Sequence, residues 1–205
     1  NDQTEDTGYA FTAGFKHLAA MDVADGGAAD GSISITDTVV CFVRGTRILT
    51  DRGEVPVEEL APGDLVHTLD EGLQPLRWVG RTTRPATGKL APVRIVAGTL
   101  GNTRDLWVSP QHRMLLRRAD GGEVLAAAIH LADGQAIAQV EGGEVEYFHI
   151  MFNRHQVVFA EGAPSESFFP GPEAWKALPA EARAELMELF PALNPAAAQK
   201  LAGRA

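Results

Sequence analysis

Cys41 and the histidines are the residues of this chain whose types are suited to nucleophilic chemistry. Cys41 is the single cysteine, and there are six histidines. A thiolate is a strong nucleophile, and a nearby imidazole can take up the thiol proton and later return it. A single thiol excludes an intramolecular disulfide and every zinc site built from several thiolates. Cys41 is therefore a small buried hydrophobe, a free thiol or a nucleophile. No two histidines are spaced as metal ligands, so we expect neither a metal nor a cofactor.

An internal repeat suggests how the thiol meets a histidine. The tripeptide Gly53–Val55 recurs as Gly122–Val124, and Leu60–Val66 recurs as Leu131–Ile137 in the same order, 69 and 71 residues later. The shared order favours a duplication, and two copies of a β unit are expected to pack about a pseudo-two-fold axis.

Counting back from the repeated glycines compares the positions of the thiol and one imidazole. Cys41 lies 12 residues before Gly53, and His112 lies 10 residues before Gly122. The two side chains thus have nearly equivalent places in the two halves. If these places lie near the axis, the thiol and the imidazole face each other.

The elements that must position these residues are predicted to be β-strands. Between residues 33 and 169, short runs rich in Val, Ile and Leu are separated by turn signals at intervals of about 8–12 residues. Beyond them, Ala180–Phe190 consists of strong helix formers between two prolines. Before them, a Gly/Ala/Asp tract has too little apolar content to order itself. We expect a flexible segment at 1–32 left from an upstream region, an all-β domain at 33–169 and a helical extension at 170–205.

Charge and hydropathy limit the partners. The net charge is −9, from 27 acidic and 18 basic residues, and the basic residues are scattered, so we expect no nucleic-acid partner. No run approaches the roughly 18 apolar residues of a membrane span, so we expect no membrane partner.

Three motifs resemble those of Hint domains, the self-processing modules shared by inteins and by the C-terminal half of hedgehog proteins. Cys41–Ile48 is similar to their opening motif, Ser109–His112 to their second motif and Glu146–Gly162 to their late motif. The ending at 161–168 is similar to that of bacterial intein-like and hedgehog-like members. The resemblance implies an all-β, pseudo-two-fold, horseshoe-shaped fold, to which the predicted helix adds a short C-terminal appendage.

The resemblance also implies cleavage of the peptide bond between Val40 and Cys41. The Cys41 thiol would attack the Val40 carbonyl and exchange the amide for a thioester, an N–S acyl shift. His112 would protonate or hydrogen-bond the departing amide nitrogen. Ser109 stands where the family usually has threonine and keeps a hydroxyl that can orient this amide.

Further candidates lie in the late and opening motifs. His155 matches the late-motif histidine, which supports catalysis in the family. His149 lies six residues earlier and faces the same way if its strand is regular, so one of the two histidines is structural. The alternation along this strand does not decide which face is inward. Thr46 in the opening motif is a second candidate for a supporting role.

Departures from the family pattern predict cleavage without splicing. A splicing intein ends in His-Asn before a Cys, Ser or Thr, whereas Ser165–Ser167 occupies that place here, and the Glu166 carboxylate cannot cyclise as an asparagine amide does. The stretch Arg84–Thr87 lacks the acid with which hedgehog members activate a sterol. We therefore expect the upstream polypeptide to be the substrate, with water, a small nucleophile or another protein as acyl acceptor.

Two other functions remain open from the sequence. One is a non-catalytic interaction or presentation module with an inert Cys41; the other is a hydrolase in which a Cys/His dyad acts on substrates in trans. The sequence does not indicate a compartment; a secreted or cell-surface location in a larger bacterial protein is implied by the resemblance alone.

Overall fold

Strands dominate the part of the chain that the structure describes. The computed structural model describes residues 40–169, together with Ala180 and Arg183. This part contains fourteen strands and three short 3₁₀ helices, which confirms the all-β class. Ala180 and Arg183, within the predicted C-terminal helix, are helical. The rest of that helix and the predicted N-terminal segment lie outside the described residues, so the three-part division stays a prediction. No helix in the described part is both long and apolar enough to cross a bilayer.

The strands form two antiparallel sheets. In chain order they are β1 (Phe42–Val43), β2 (Arg47–Thr50), β3 (Gly53–Pro56), β4 (Leu65–Thr68), β5 (Gly72–Pro75), β6 (Trp78–Pro85), β7 (Val93–Ile95), β8 (Leu106–Val108), β9 (Arg113–Arg117), β10 (Glu123–Ala127), β11 (Ile137–Gln139), β12 (Glu144–Met151), β13 (Val157–Ala160) and β14 (Ala163–Glu166). One sheet has the order β11-β7-β8-β1-β12-β6. The other has the order β10-β9-β14-β13-β2-β4-β5, with β3 paired to β2.

The sequence repeat corresponds to a repeated series of elements. In the first copy, β2 and β3 are followed by a 3₁₀ helix at Val57–Glu59 and by β4. In the second, β9 and β10 are followed by a 3₁₀ helix at Ala128–Leu131 and by β11. The repeated Gly-containing turn precedes the last strand of each copy, and Gly63 and Gly134 both have a positive φ, which glycine adopts without steric cost.

Backbone hydrogen bonds align His112 with Thr46, not with Cys41. The N–H groups of Thr46 and His112 each donate to the carbonyl three residues earlier, and their own carbonyls accept from Val57 and Ala128 at the start of the 3₁₀ helices. Counting back from the glycines misplaced the histidine because five residues separate β9 from β10, whereas two separate β2 from β3.

Strands β1 and β8 bring the two halves together. They pair with Phe42 opposite Val108, and the Ser109 N–H donates to the Cys41 carbonyl at 3.0 Å. The residue before β1 and the residue after β8 are thereby adjacent, although 68 positions separate them in the chain. This pairing brings the opening motif to the second motif.

Strand β12 is buried on both faces, because each face packs against a different apolar cluster. Phe148 and Ile150 belong to the main core between the sheets. Tyr147 and Met151, on the opposite face, belong to a second cluster. We call this the site cluster; its buried members are Cys41, Trp78, Ala86, Val145, Tyr147, Met151 and Phe168. The alternation in β12 could not identify one inward face because both faces are inward.

Candidate active site

The backbone of Cys41 is held on both sides by the second motif. Its N–H, which is the amide nitrogen of the Val40–Cys41 bond, donates to Ser109 Oγ at 3.0 Å. Its carbonyl accepts the Ser109 N–H and lies 3.1 Å from His112 Nδ1. Ser109 and His112 are themselves joined, since the His112 N–H donates to the Ser109 carbonyl. The turn at Ser109–His112 therefore fixes the orientation of the Val40–Cys41 peptide, which lies just before β1.

His112 is fully buried and neutral. A carbonyl only accepts hydrogen bonds, so Nδ1 carries the proton that it donates to Cys41 O. Burial lowers the pKa of His112 from 6.5 to about 3, against the smaller opposing effect of this hydrogen bond. Its ring packs edge-on against Phe42 at a centroid distance of 4.5 Å. Within the described part of the chain, Nε2 has no hydrogen-bond partner.

His149 bridges the Val40 carbonyl and the Cys41 thiol. Its Nδ1 lies 2.9 Å from Val40 O, and its Nε2 lies 3.7 Å from Cys41 Sγ. The carbonyl requires the proton on Nδ1, which leaves the Nε2 lone pair facing the thiol. Burial lowers the pKa of His149 from 6.5 to about 4, so the ring is neutral at physiological pH. One imidazole can therefore polarise the carbonyl and accept the thiol proton.

The Cys41 thiol lies in the apolar site cluster and is 5% exposed. Burial raises the pKa of this thiol well above its ordinary value, while a hydrogen bond from Ser109 and the positive charge of Arg84 oppose the rise. The resting form is thus the neutral thiol. Because the thiolate is the nucleophile, reaction requires proton removal as the sulfur attacks, for which His149 Nε2 is placed.

Aromatic side chains hold the His149 ring in this orientation. Trp78 stacks on it at a centroid distance of 6.4 Å, and Phe168 packs at 5.4 Å. Gly80 lies opposite His149 on the neighbouring strand, and a Cβ there would lie 2.0 Å from the Trp78 indole. Glycine at this position therefore leaves the space that the indole occupies. The sequence alone did not identify Trp78 or Gly80 as part of the site, because only the strand register relates them to His149.

The structure brings Val40, Cys41, Ser109, His112 and His149 together and gives the other two candidates different partners. His155 is partly exposed, and its Nε2 lies 3.3 Å from the Glu166 carboxylate. The Thr46 hydroxyl donates to the Trp107 carbonyl at 3.4 Å. Among the described residues, neither side chain makes a hydrogen bond to Val40 or Cys41. No group of three or more His, Cys, Asp or Glu in this part is arranged to hold a metal ion.

The two buried histidines predict a fall in stability on acidification. Their folded pKa values, about 3 for His112 and about 4 for His149, lie below the ordinary 6.5, so the unfolded chain binds more protons in this range. The stabilisation is complete above pH 6.5 and decreases as the pH falls toward 4, by at most about 1.4 kcal/mol per pH unit for each histidine. Urea unfolding of the wild type and of His149→Gln at several pH values measures this slope. An unchanged slope in the variant would contradict the contribution of His149.

The structure is all-β, and a thiol, a hydroxyl and two neutral imidazoles surround one peptide bond of the same chain, in agreement with the resemblance of the three sequence motifs to Hint domains. A family model described as "Hint domain" matches residues 40–172, and the chain belongs to this family. No curated protein matches the chain.

Solved structures with similarity to this chain include inteins and an intein-like domain. A DnaB intein from Synechocystis sp. PCC 6803 is 14% identical, covering 63% of this chain and 99% of its own, with a TM-score of 0.45. A bacterial intein-like domain from Clostridium thermocellum is 12% identical, covering 62% and 98%, with a TM-score of 0.44. A splice-inactive variant of the AceL NrdHF class 3 split intein is 16% identical, covering 64% and 99%, with a TM-score of 0.45.

Proposed function

We propose that this domain cleaves its own chain before Cys41 through a thioester and does not splice. The observation that carries the proposal is the double contact of His149, with Nδ1 at the Val40 carbonyl and Nε2 at the Cys41 thiol. A contact to only one of these groups would suit a structural histidine. Contacts to the electrophile and to the nucleophile of the same reaction favour catalysis.

The first step is attack of Cys41 Sγ on the Val40 carbonyl carbon. His149 Nε2 takes up the thiol proton as the carbon–sulfur bond forms, and Nδ1–H stabilises the negative charge that develops on Val40 O. The surroundings favour this step because little water competes for either hydrogen bond.

The second step breaks the bond between the Val40 carbonyl carbon and the Cys41 nitrogen. The nitrogen gains one proton and leaves as an amine, which balances the proton lost by the thiol. Ser109 Oγ holds the N–H of this nitrogen, and His112 holds the carbonyl of the same residue. The resemblance to Hint domains implied that His112 contacts the departing nitrogen; its hydrogen bond in the structure is to Cys41 O, which suits positioning of the leaving group.

The third step transfers the Val40 acyl group from sulfur to an acceptor. Water yields a free carboxylate, and a small nucleophile or another chain yields an adduct. The cyclisation that completes splicing requires a side-chain amide, whereas Glu166 is a carboxyl that accepts the Arg113 N–H at 3.0 Å. The products are therefore an upstream fragment and a fragment that begins with Cys41.

Intact mass spectrometry of the 205-residue chain tests the proposal. With hydroxylamine, which attacks thioesters, we expect two fragments, one ending at Val40 as a hydroxamate and one beginning at Cys41. One unchanged mass under all conditions would instead support the non-catalytic module, which the burial and raised pKa of the thiol favour. Cleavage of an added protein without self-cleavage would support a trans hydrolase.

Ser109→Ala is expected to slow thioester formation about a hundredfold. The substitution removes the acceptor that orients the scissile amide nitrogen, and misplacement of a reacting group by about 1 Å can cost about 10²-fold in rate. Hydroxylamine-induced cleavage measured over time gives the rate. Ser109→Thr retains the hydroxyl and serves as the matched control, with a rate near that of the wild type. Equal rates for the alanine and threonine variants would exclude a role for the hydroxyl.

A further inference from the structure

Arg84 lies on the same face of the sheet as the reacting groups. Directly opposite residues of an antiparallel pair share a face, and Arg84 pairs with Val145 of the site cluster, just as Gly80 pairs with His149. The exposure of the side chains along β6 agrees with this placement of Arg84, because Arg81 and Thr83 are exposed whereas Arg84 is partly buried. The guanidinium therefore belongs to the surroundings of the thiol and not to the outer face.

No carboxylate within the described residues neutralises Arg84. Its guanidinium donates a hydrogen bond to the carbonyl of the preceding residue, Thr83, at 3.4 Å. The acids of the neighbouring strand alternate with the site-cluster residues, so they face the other way, where Glu146 pairs with Arg44. Arg84 thus presents a cation on the reactive face with no matching anion among the described side chains.

The charge of Arg84 acts on the reacting sulfur. It is one of the effects that lower the pKa of the Cys41 thiol, against the larger effect of burial. In apolar surroundings such an interaction is weakly screened. A guanidinium also offers paired N–H donors that match the two oxygens of a carboxylate.

We propose that Arg84 selects the acyl acceptor, and that the preferred acceptor is a small nucleophile carrying a carboxylate. This inference rests on the proposed function, because it concerns the step that resolves the thioester. The nucleophilic atom of the acceptor forms a bond to the Val40 carbonyl carbon while the bond from this carbon to Cys41 Sγ breaks. The proton of the nucleophile passes to Sγ. Arg84 holds the carboxylate during this exchange and so raises the local concentration of the nucleophile.

Two acceptor thiols of equal size test the selection. β-Mercaptopropionate carries a carboxylate, and β-mercaptopropionamide replaces it with a neutral amide. The rate of adduct formation on the Val40 fragment is followed by mass spectrometry over a range of acceptor concentrations. For the wild type we expect the carboxylate to be preferred by at least about tenfold, mainly through a lower half-saturating concentration.

Variants of two arginines on the same strand separate selection from general charge effects. Arg84→Gln is expected to remove the preference, so that the two thiols react at equal rates; the loss of the charge that acts on the Cys41 thiol affects both thiols alike. Arg81→Gln removes the same charge from the exposed, opposite face and is expected to retain the preference. Cleavage by hydroxylamine reports that each variant is folded and forms the thioester.

The outcomes distinguish this inference from the proposed function. Cleavage by both thiols without a carboxylate preference, or a preference that survives Arg84→Gln, overturns the inference alone. Equal slowing with both acceptors in Arg84→Gln, with the carboxylate preference retained, also overturns it, since Arg84 would then act on the Cys41 thiol alone. Absence of fragments with hydroxylamine and with both thiols overturns the proposed function and the inference together.

Discussion

Replacing Cys41 with alanine is expected to abolish cleavage between residues 40 and 41, with a loss of at least about 10⁴-fold. The physical reason is that Cys41 is the single cysteine, so no other side chain can form a thioester. The imidazoles of His112 and His149 are fixed by donation to carbonyls, and Ser109 Oγ is occupied by the amide N–H. Intact mass of the full chain, with and without hydroxylamine, measures the effect.

Cys41→Ser gives the matched control for this experiment. It keeps a nucleophilic atom at the same position, so the ester analogue of the first step remains open, although a hydroxyl is far harder to deprotonate than a thiol. We expect slow cleavage in the serine variant and none in the alanine variant. Undiminished cleavage in Cys41→Ala would show that the chain is cut by another route and would remove the basis of the proposed function.

His149→Ala is expected to lower the rate of thioester formation by about a thousandfold or more. The substitution removes the base at the thiol and the donor at the Val40 carbonyl together, and general base catalysis alone contributes about 10²–10⁴-fold. His149→Asn separates the two roles, because its side-chain amide can place a donor near the position of Nδ1 and has no counterpart of Nε2. We expect the asparagine variant to be faster than the alanine variant and slower than the wild type.

The pH dependence gives a second measure of His149. Because burial lowers its pKa to about 4, the base is available throughout the neutral range, and the wild-type rate should decrease only as the pH approaches 4. This decrease should be absent from the residual rate of His149→Asn. A wild-type rate that instead decreases near 6.5 would indicate a base with an ordinary histidine pKa.

His155→Ala is the comparison that decides between the two late-motif histidines. The His155 ring contacts the Glu166 carboxylate and makes no hydrogen bond to Val40 or Cys41 among the described residues, so its loss should leave the rate within about threefold of the wild type. A loss as large as that of His149→Ala would show that this pair acts on the site from a distance.

The sequence predicted those parts of the site that depend on local pattern and on the repeat. The spacing of strand and turn signals predicted the all-β class, which the described residues confirm. The repeat predicted two similar halves and a meeting of the thiol with residues of the second motif. The repeat wrongly aligned Cys41 with His112, because the turn between β9 and β10 is longer than the turn between β2 and β3. The number of residues counted back from the repeated glycine therefore differs between the two halves.

The sequence by itself determined that one thiol follows Val40 directly and that candidate hydroxyl and imidazole groups follow it in two later motifs, at Ser109 and His112 and at His149 and His155. Only the tertiary structure decided which imidazole reaches the bond, because His149 and His155 are equally plausible when counted along the chain. The register of β12 against β1 and β6 gives the answer. A shift of one residue would turn His149 toward the main core, and that register is held by apolar packing on both faces of the strand, which no local pattern specifies.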